Sequence, residues 1–176
     1  MSSDQPAGRP AYCLLLTAYF EEMPTPFEAL AAIPNACQAL PTVVTGGQPT
    51  AVDFERFAAA GGRIVLDTRD PREPRPLDEP ATLQRLGLQY EVVPIGAGLL
   101  TDETLERIRN VLRTAGEQTV LFHCASGNRV GAALVPYLVL DQGMDESDAV
   151  AEALRVGLRS PELLEWARDY IRRSRE

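Results

Sequence analysis

One segment of the chain combines a nucleophile, a cation and glycines at a spacing that can do chemistry: His123-Cys124-Ala125-Ser126-Gly127-Asn128-Arg129-Val130-Gly131, directly after the apolar run Val120-Leu121-Phe122. A cysteine between the end of a strand and the start of a helix meets the unpaired N–H groups of the helix N-terminus and the positive end of its dipole. Both stabilise an anion, so Cys124 is expected to react as a thiolate. Arg129, five positions on, offers a planar, bidentate clamp for an oxyanion. Gly127 lets the loop curl so that the amides from Ala125 to Arg129 face inward. The side chains of Ser126 and Asn128 are suited to locking loop backbone. His123 adjoins Cys124 on an extended segment and should point to the opposite side, where it bonds loop backbone rather than acting as the base of a Cys-His dyad.

Composition narrows the chemistry. The 176 residues carry 25 acids against 17 basic residues, all of them Arg, for a net charge of -8. That balance argues against nucleic acid as a partner. It also repels small anions at long range, so an anionic substrate needs a local cluster of Arg and backbone N–H groups. The absence of Lys removes Schiff-base chemistry and the P-loop lysine. A single His leaves catalytic triads and paired-His metal sites short of members, and neither a metal nor a cofactor is expected. Three widely spaced cysteines, Cys13, Cys37 and Cys124, are not a disulfide framework and suit a reducing compartment, so the cytoplasm is expected. Neither a signal peptide nor a run of membrane-spanning length is evident, and no membrane partner is expected.

The elements that must position Cys124 alternate in type. Residues 1–10 read as a disordered tail, and 11–176 as one domain whose final third is helical. Strands are predicted at 43–45, 63–67, 89–94 and 119–123. Helices are predicted from Thr50 to Gly61, over 81–86, from Thr101, over 130–140, from Asp145 to 156, and from Ser160 to 171. Residues 11–40, interrupted by Pro24, Pro26 and Pro34, stay unassigned. Alternating strands and helices imply an α/β fold with a mostly parallel central sheet flanked by helices and a site at the carboxyl ends of the strands. Three loops converge there: 68–80, 95–101 and 124–129.

The segment H-C-A-S-G-N-R resembles the signature loop of the cysteine-dependent protein tyrosine phosphatase superfamily. The longer run T-G-G-Q-P-T-A-V-D-F-E-R-F-A-A-A-G-G-R-I-V-L-D-T-R is similar to the beta-lactamase hydrolase-like phosphatase family, a bacterial branch of the dual-specificity phosphatase fold. The resemblance covers about residues 34–142. It implies that Cys124 forms a phosphocysteine, that Arg129 clamps the transition state, that a carboxylic acid assists, and that the partner is a phosphorylated or other oxyanionic substrate.

The chain departs from that pattern in three places. Cys124 and Arg129 enclose four residues, one fewer than is usual in the superfamily. This shorter C-x-x-G-x-R also resembles rhodanese sulfurtransferases, whose Cys carries a persulfide, and L-D-T-R-D looks like their strand-end segment. Val130 stands where most phosphatase relatives have Ser or Thr, so it is counted with Ala125, Ser126, Gly127 and Asn128 among the residues around the substrate. The loop Ile95-Gly96-Ala97-Gly98 lacks the expected general-acid Asp. Asp102 is then the nearest candidate acid, with Asp67 and Asp70 as rivals from a neighbouring strand end, although Asp102 also suits a helix first turn and Asp67 a buried acceptor. Arg69, with Arg72 and Arg75, is a candidate anion-attracting patch. The expectation is a cysteine-dependent phosphatase, with a sulfurtransferase or a non-catalytic oxyanion-binding module as alternatives.

Overall fold

The structure is a computed structural model that describes residues 23–176; the expectations for the 1–10 tail and for Cys13 lie outside the described residues. Five strands form one sheet in the order β1-β2-β5-β3-β4. They are β1 Cys37–Leu40, β2 Val43–Gly46, β3 Ile64–Asp67, β4 Gln89–Val92 and β5 Val120–His123. Strands β2 to β5 are parallel to their neighbours, and only β1 runs antiparallel, on β2. This is the mostly parallel α/β sheet expected from the alternation of elements.

Parallel neighbours need crossover connections, and the helices supply them. On one face lie α1 Pro26–Ala29, α2 Ala51–Ala59 and α3 Glu79–Arg85; on the other lie α4 Asp102–Ala115, α5 Asn128–Leu140, α6 Glu146–Val156 and α7 Pro161–Ser174. Their starts follow local chemistry. Thr50 and Asp53 form a reciprocal capping box at α2, and the hydroxyls of Thr101 and Ser160 accept from Thr104 and Leu163 at α4 and α7. Helix α3 starts two residues ahead of its predicted Ala81, with Pro80 inside its first turn, where a missing N–H costs nothing. The unassigned 11–40 stretch contributes α1 and the edge strand β1, whose pairing with β2 is irregular between Gln38 and Leu40.

Strand β5 sits in the middle of the sheet and is buried along its whole length. Side chains alternate across a strand, so Val120 and Phe122 join the core under α4 to α7 while Leu121 faces α2 and α3. His123 follows Leu121, its ring edge-on to Phe54 at 6.1 Å. Cys124 therefore emerges on the α5 side. Helix α5, apolar nearly all round, is buried from Val130 to Val139. Gly131 permits its close approach to α6, since a Cβ there would lie 2.7 Å from the Ala153 carbonyl. No helix among the described residues is long and apolar enough to cross a membrane.

Candidate active site

The turn from β5 into α5 holds Cys124 almost entirely buried, at 1% exposure. Its Sγ accepts a hydrogen bond from the Gly127 N–H at 3.1 Å. Gly127 can aim that amide because its φ is +87°, and a Cβ at this position would lie 2.7 Å from the Val156 carbonyl. The Ala125 carbonyl accepts from the Gln48 N–H at 3.2 Å, and that of Ser126 from Asn35 Nδ2 at 2.8 Å. A trans peptide points its N–H opposite to its C=O, so these outward carbonyls turn the Ser126 and Gly127 amides toward the thiol side. Asn128 ties the loop to the next turn of chain, its Oδ1 accepting from the backbone of Arg159 at 2.6 Å and Ser160 at 3.1 Å. This is the backbone-locking role expected of Asn128, directed at the α6–α7 connection. Val130 is fully buried in the core, so its side chain is not available to a substrate.

Arg129 begins α5 beside the thiol. Its Nη1 donates to Oε1 of Glu73 and, at 3.2 Å, to the Ile95 carbonyl, while Nη2 donates to Glu73 Oε2 at 3.0 Å. Glu73 thus occupies the Nη1–Nη2 edge, and the Nε–Nη2 edge is left to fork an oxyanion. No carboxylate takes that edge among the described residues, and the Cys124 side chain lies close enough to the guanidinium to help raise its pKa, after the larger effect of Glu73. Arg129 holds the Glu73 carboxyl at about 2, against the opposing effect of burial.

Arg69 does not reach into this space. Its guanidinium bonds Gln48 Oε1, the Pro74 carbonyl at 2.6 Å and Glu73 at 3.3 Å, which makes it a brace for Glu73. Arg72 pairs with Asp70 and Arg75 with Asp67 and Glu79, so each member of the anticipated cationic patch is neutralised by a carboxylate. Sequence reasoning missed Glu73, whose only signal is its place in one of the three converging loops.

The candidate acids Asp67 and Asp102 lie apart from the loop chemistry. Asp67 is fully buried and accepts from the Arg69 N–H at 2.8 Å, Arg75 Nη1 at 2.5 Å and the Tyr90 hydroxyl at 2.8 Å. Asp102 is half exposed and held by Arg173 at the far end of α7, with bonds of 2.6 and 3.0 Å that lower its pKa. Asp67 and Glu79 also approach His123, and ligand atoms of the three lie within 4.8 Å of one another. The cation between the two carboxylates is the Arg75 guanidinium, bonded to both, so the charge a metal would bring is already supplied. His123 places Nδ1 3.4 Å from the Cys124 carbonyl, the backbone contact expected of it. Burial pushes its pKa down despite both carboxylates, leaving a neutral imidazole.

A cavity of about 320 Å³ opens beside Arg129, lined by Ile95, Gly96, Ala97, Leu100, Glu162 and Leu163. It lies between the 95–101 loop and the first turn of α7. Cys37 lies buried on β1, away from this loop, and burial raises its thiol pKa.

No family model matches the chain. Over 113 residues the sequence is 32% identical to the beta-lactamase hydrolase-like protein of Xylella fastidiosa, a match taking in 61% of this chain and 26% of that protein. The chain therefore spans about a quarter of the length of the curated relatives it matches. Among solved structures, a DUF442 protein of Shewanella putrefaciens superposes with a TM-score of 0.70 at 18% identity, over 84% of this chain and 97% of that one. TpbA of P. aeruginosa in complex with pTyr gives 0.62 at 22% identity, over 78% and 83%. PTPMT1 in complex with PI(5)P gives 0.67 at 17% identity, over 78% and 95%. With a five-stranded sheet flanked by helices and a strand-to-helix loop carrying Cys124 and Arg129, the chain has the fold of the cysteine-dependent phosphatases of the protein tyrosine phosphatase superfamily.

Proposed function

We propose that this protein is a cysteine-dependent phosphatase acting on a phosphate monoester. The observation that carries the reading is the pairing of a loop amide aimed at Cys124 Sγ with an Arg129 guanidinium that adjoins the Cys124 side chain and whose Nε–Nη2 edge Glu73 leaves untaken. In the first step the Cys124 thiolate attacks phosphorus, a P–S bond forms, and the ester P–O bond breaks with the leaving oxygen taking a proton. In the second step water attacks phosphorus and the P–S bond breaks, releasing inorganic phosphate and restoring the thiolate. Inward amides and Arg129 offset the charge that grows on the equatorial oxygens, as preorganised donors do. Glu73 and the Ile95 carbonyl fix the plane of the guanidinium, so that its forked donors need no reorganisation.

Phosphotyrosine and a phosphoinositide, the ligands of the two structural neighbours, each carry a phosphate monoester, and that shared chemistry is the substrate class proposed here. The test is phosphate release from an activated aryl phosphate. Activity is expected in the wild type and lost in Cys124→Ser and Arg129→Ala variants that retain the fold.

The four-residue spacing of C-A-S-G-N-R favours one second reading, a rhodanese-like sulfurtransferase carrying a persulfide on Cys124. Parallel assay of sulfur transfer from thiosulfate to cyanide separates the two. Thiocyanate without phosphate release would replace the phosphatase reading, and oxyanion binding without either product would leave a binding module.

A further inference from the structure

A phosphatase needs a proton donor when its leaving group is a poor one, and the 95–101 loop supplies no acid. The carboxylates gathered around the site are committed elsewhere. Glu73 is held ionised by Arg129, its carboxyl at about 2. Asp70 is chelated by Arg72, which drives its pKa well below the usual carboxylate range. Asp102 is paired with Arg173 and lowered in the same way. Asp67 and Glu79 are buried around Arg75 and Tyr90, on the His123 side of β5. A carboxylate gripped by a guanidinium resists protonation, and one sealed beneath the sheet cannot meet a leaving group.

Glu162 differs from all of these. It lines the same cavity as Arg129, and among the described residues its carboxylate has no ion-pair or hydrogen-bond partner. Its position is fixed from the reactive loop itself. Asn128, the residue before Arg129, accepts from the N–H groups of Arg159 and Ser160, and Ser160 caps the helix whose first turn carries Glu162. Glu162 thus stands two positions after a backbone N–H hydrogen-bonded to the Asn128 side chain of the Cys124 loop. The wall it shares with Ala97, Leu100 and Leu163 is apolar, as expected around the organic part of a monoester rather than its phosphate.

We propose that Glu162 is the general acid and base of the reaction, an inference that rests on the phosphatase reading above. Its carboxyl gives a proton to the leaving oxygen as the P–O bond breaks. The resulting carboxylate takes a proton from the water that cleaves the P–S bond, which returns Glu162 to its starting state with protons balanced over the cycle.

The experiment compares Glu162→Gln and Glu162→Asp with the wild type on a dinitrophenyl phosphate, whose leaving group needs no proton, and on an alkyl phosphate, whose leaving group does. Glu162→Gln should lose about 10²- to 10⁴-fold in kcat/KM on the alkyl phosphate, far less on the dinitrophenyl phosphate, and Glu162→Asp should recover part of the loss. Equal losses on both substrates, or no loss on either, would overturn the assignment while leaving the phosphatase reading intact. Wild-type protein that releases no phosphate from the dinitrophenyl ester would overturn both. A thermal melt of each variant distinguishes lost chemistry from lost fold, and the exposed position of Glu162 predicts an unchanged melt.

Discussion

Glu73 and Arg129 meet carboxylate to guanidinium across 56 residues of sequence, with Nη2 3.0 Å from Oε2. The contact leaves the outer edge of the guanidinium turned away from Glu73, so it orients the cation without closing it. Replacing Glu73 by Gln should raise KM for aryl phosphates by about 10- to 100-fold, the equivalent of the roughly 1.5–3 kcal/mol of a hydrogen bond to a charged group. A variant that binds substrate more tightly than the wild type would instead mark Glu73 as a competitor for the phosphate site.

The same pair gives the protein an acid limb. Glu73 titrates at about 2 in the folded chain against an ordinary 4.5, so between those values the unfolded chain binds more protons than the native one. The contribution of the pair is therefore fully present above pH 4.5 and drains away as pH falls toward 2. Urea unfolding from pH 7 to pH 3 should show the gap between wild type and Glu73→Gln narrowing below pH 4.5. A gap independent of pH would refute the linkage.

His123 is the only histidine in the chain, which makes its titration separable. Burial lowers its folded pKa from 6.5, so below that value the unfolded chain takes up a proton that the native imidazole refuses. Stability should decline as pH drops from 7 toward 5.5. In a His123→Gln variant that slope should be absent, and its persistence would assign it to other groups.

Gly127→Ala should destabilise the fold by about 1–3 kcal/mol through its left-handed backbone alone. The Cβ placed 2.7 Å from the Val156 carbonyl adds to this by forcing α6 away. Unfolding midpoints measure the first effect and aryl phosphate turnover the second. Wild-type values for both would mean that the loop tolerates another path.

Selective alkylation tests the nucleophile. Iodoacetamide should label Cys124 ahead of Cys37, whose buried thiol is pushed up in pKa, and phosphate or sulfate should protect Cys124 by filling the loop. A Cys13→Ser, Cys37→Ser double variant should keep its activity; loss of activity with the fold intact would require a second thiol in the mechanism.

Contacts that are local in sequence were legible from it. The Cys124 loop, the Thr50 capping box and the Ser160 cap each depend on residues a few positions apart, and the apolar circumference of α5 announces its burial. Strand β1 escaped because its identity rests on pairing with β2 through an irregular register, and because Pro34 and Pro41 obscure any alternation. Glu73 and Glu162 escaped for a topological reason. Glu73 reaches Arg129 from the β3–β4 crossover and Glu162 shares a cavity with it from the helix after the last strand, and nothing in the spelling of R-D-P-R-E or S-P-E-L says where those segments land. Arg69 reads as a free cation until Glu73, Gln48 and the Pro74 carbonyl appear around it.

The Asn128 bridge to Arg159 and Ser160 gives the last helix the character of a lever. Helix α7 has 14 residues, so it extends about 21 Å from a fulcrum hydrogen-bonded to the nucleophile loop. A deletion ending before Arg159 removes the brace of the loop. Such a deletion would loosen the turn that carries Cys124 without touching any residue of C-A-S-G-N-R.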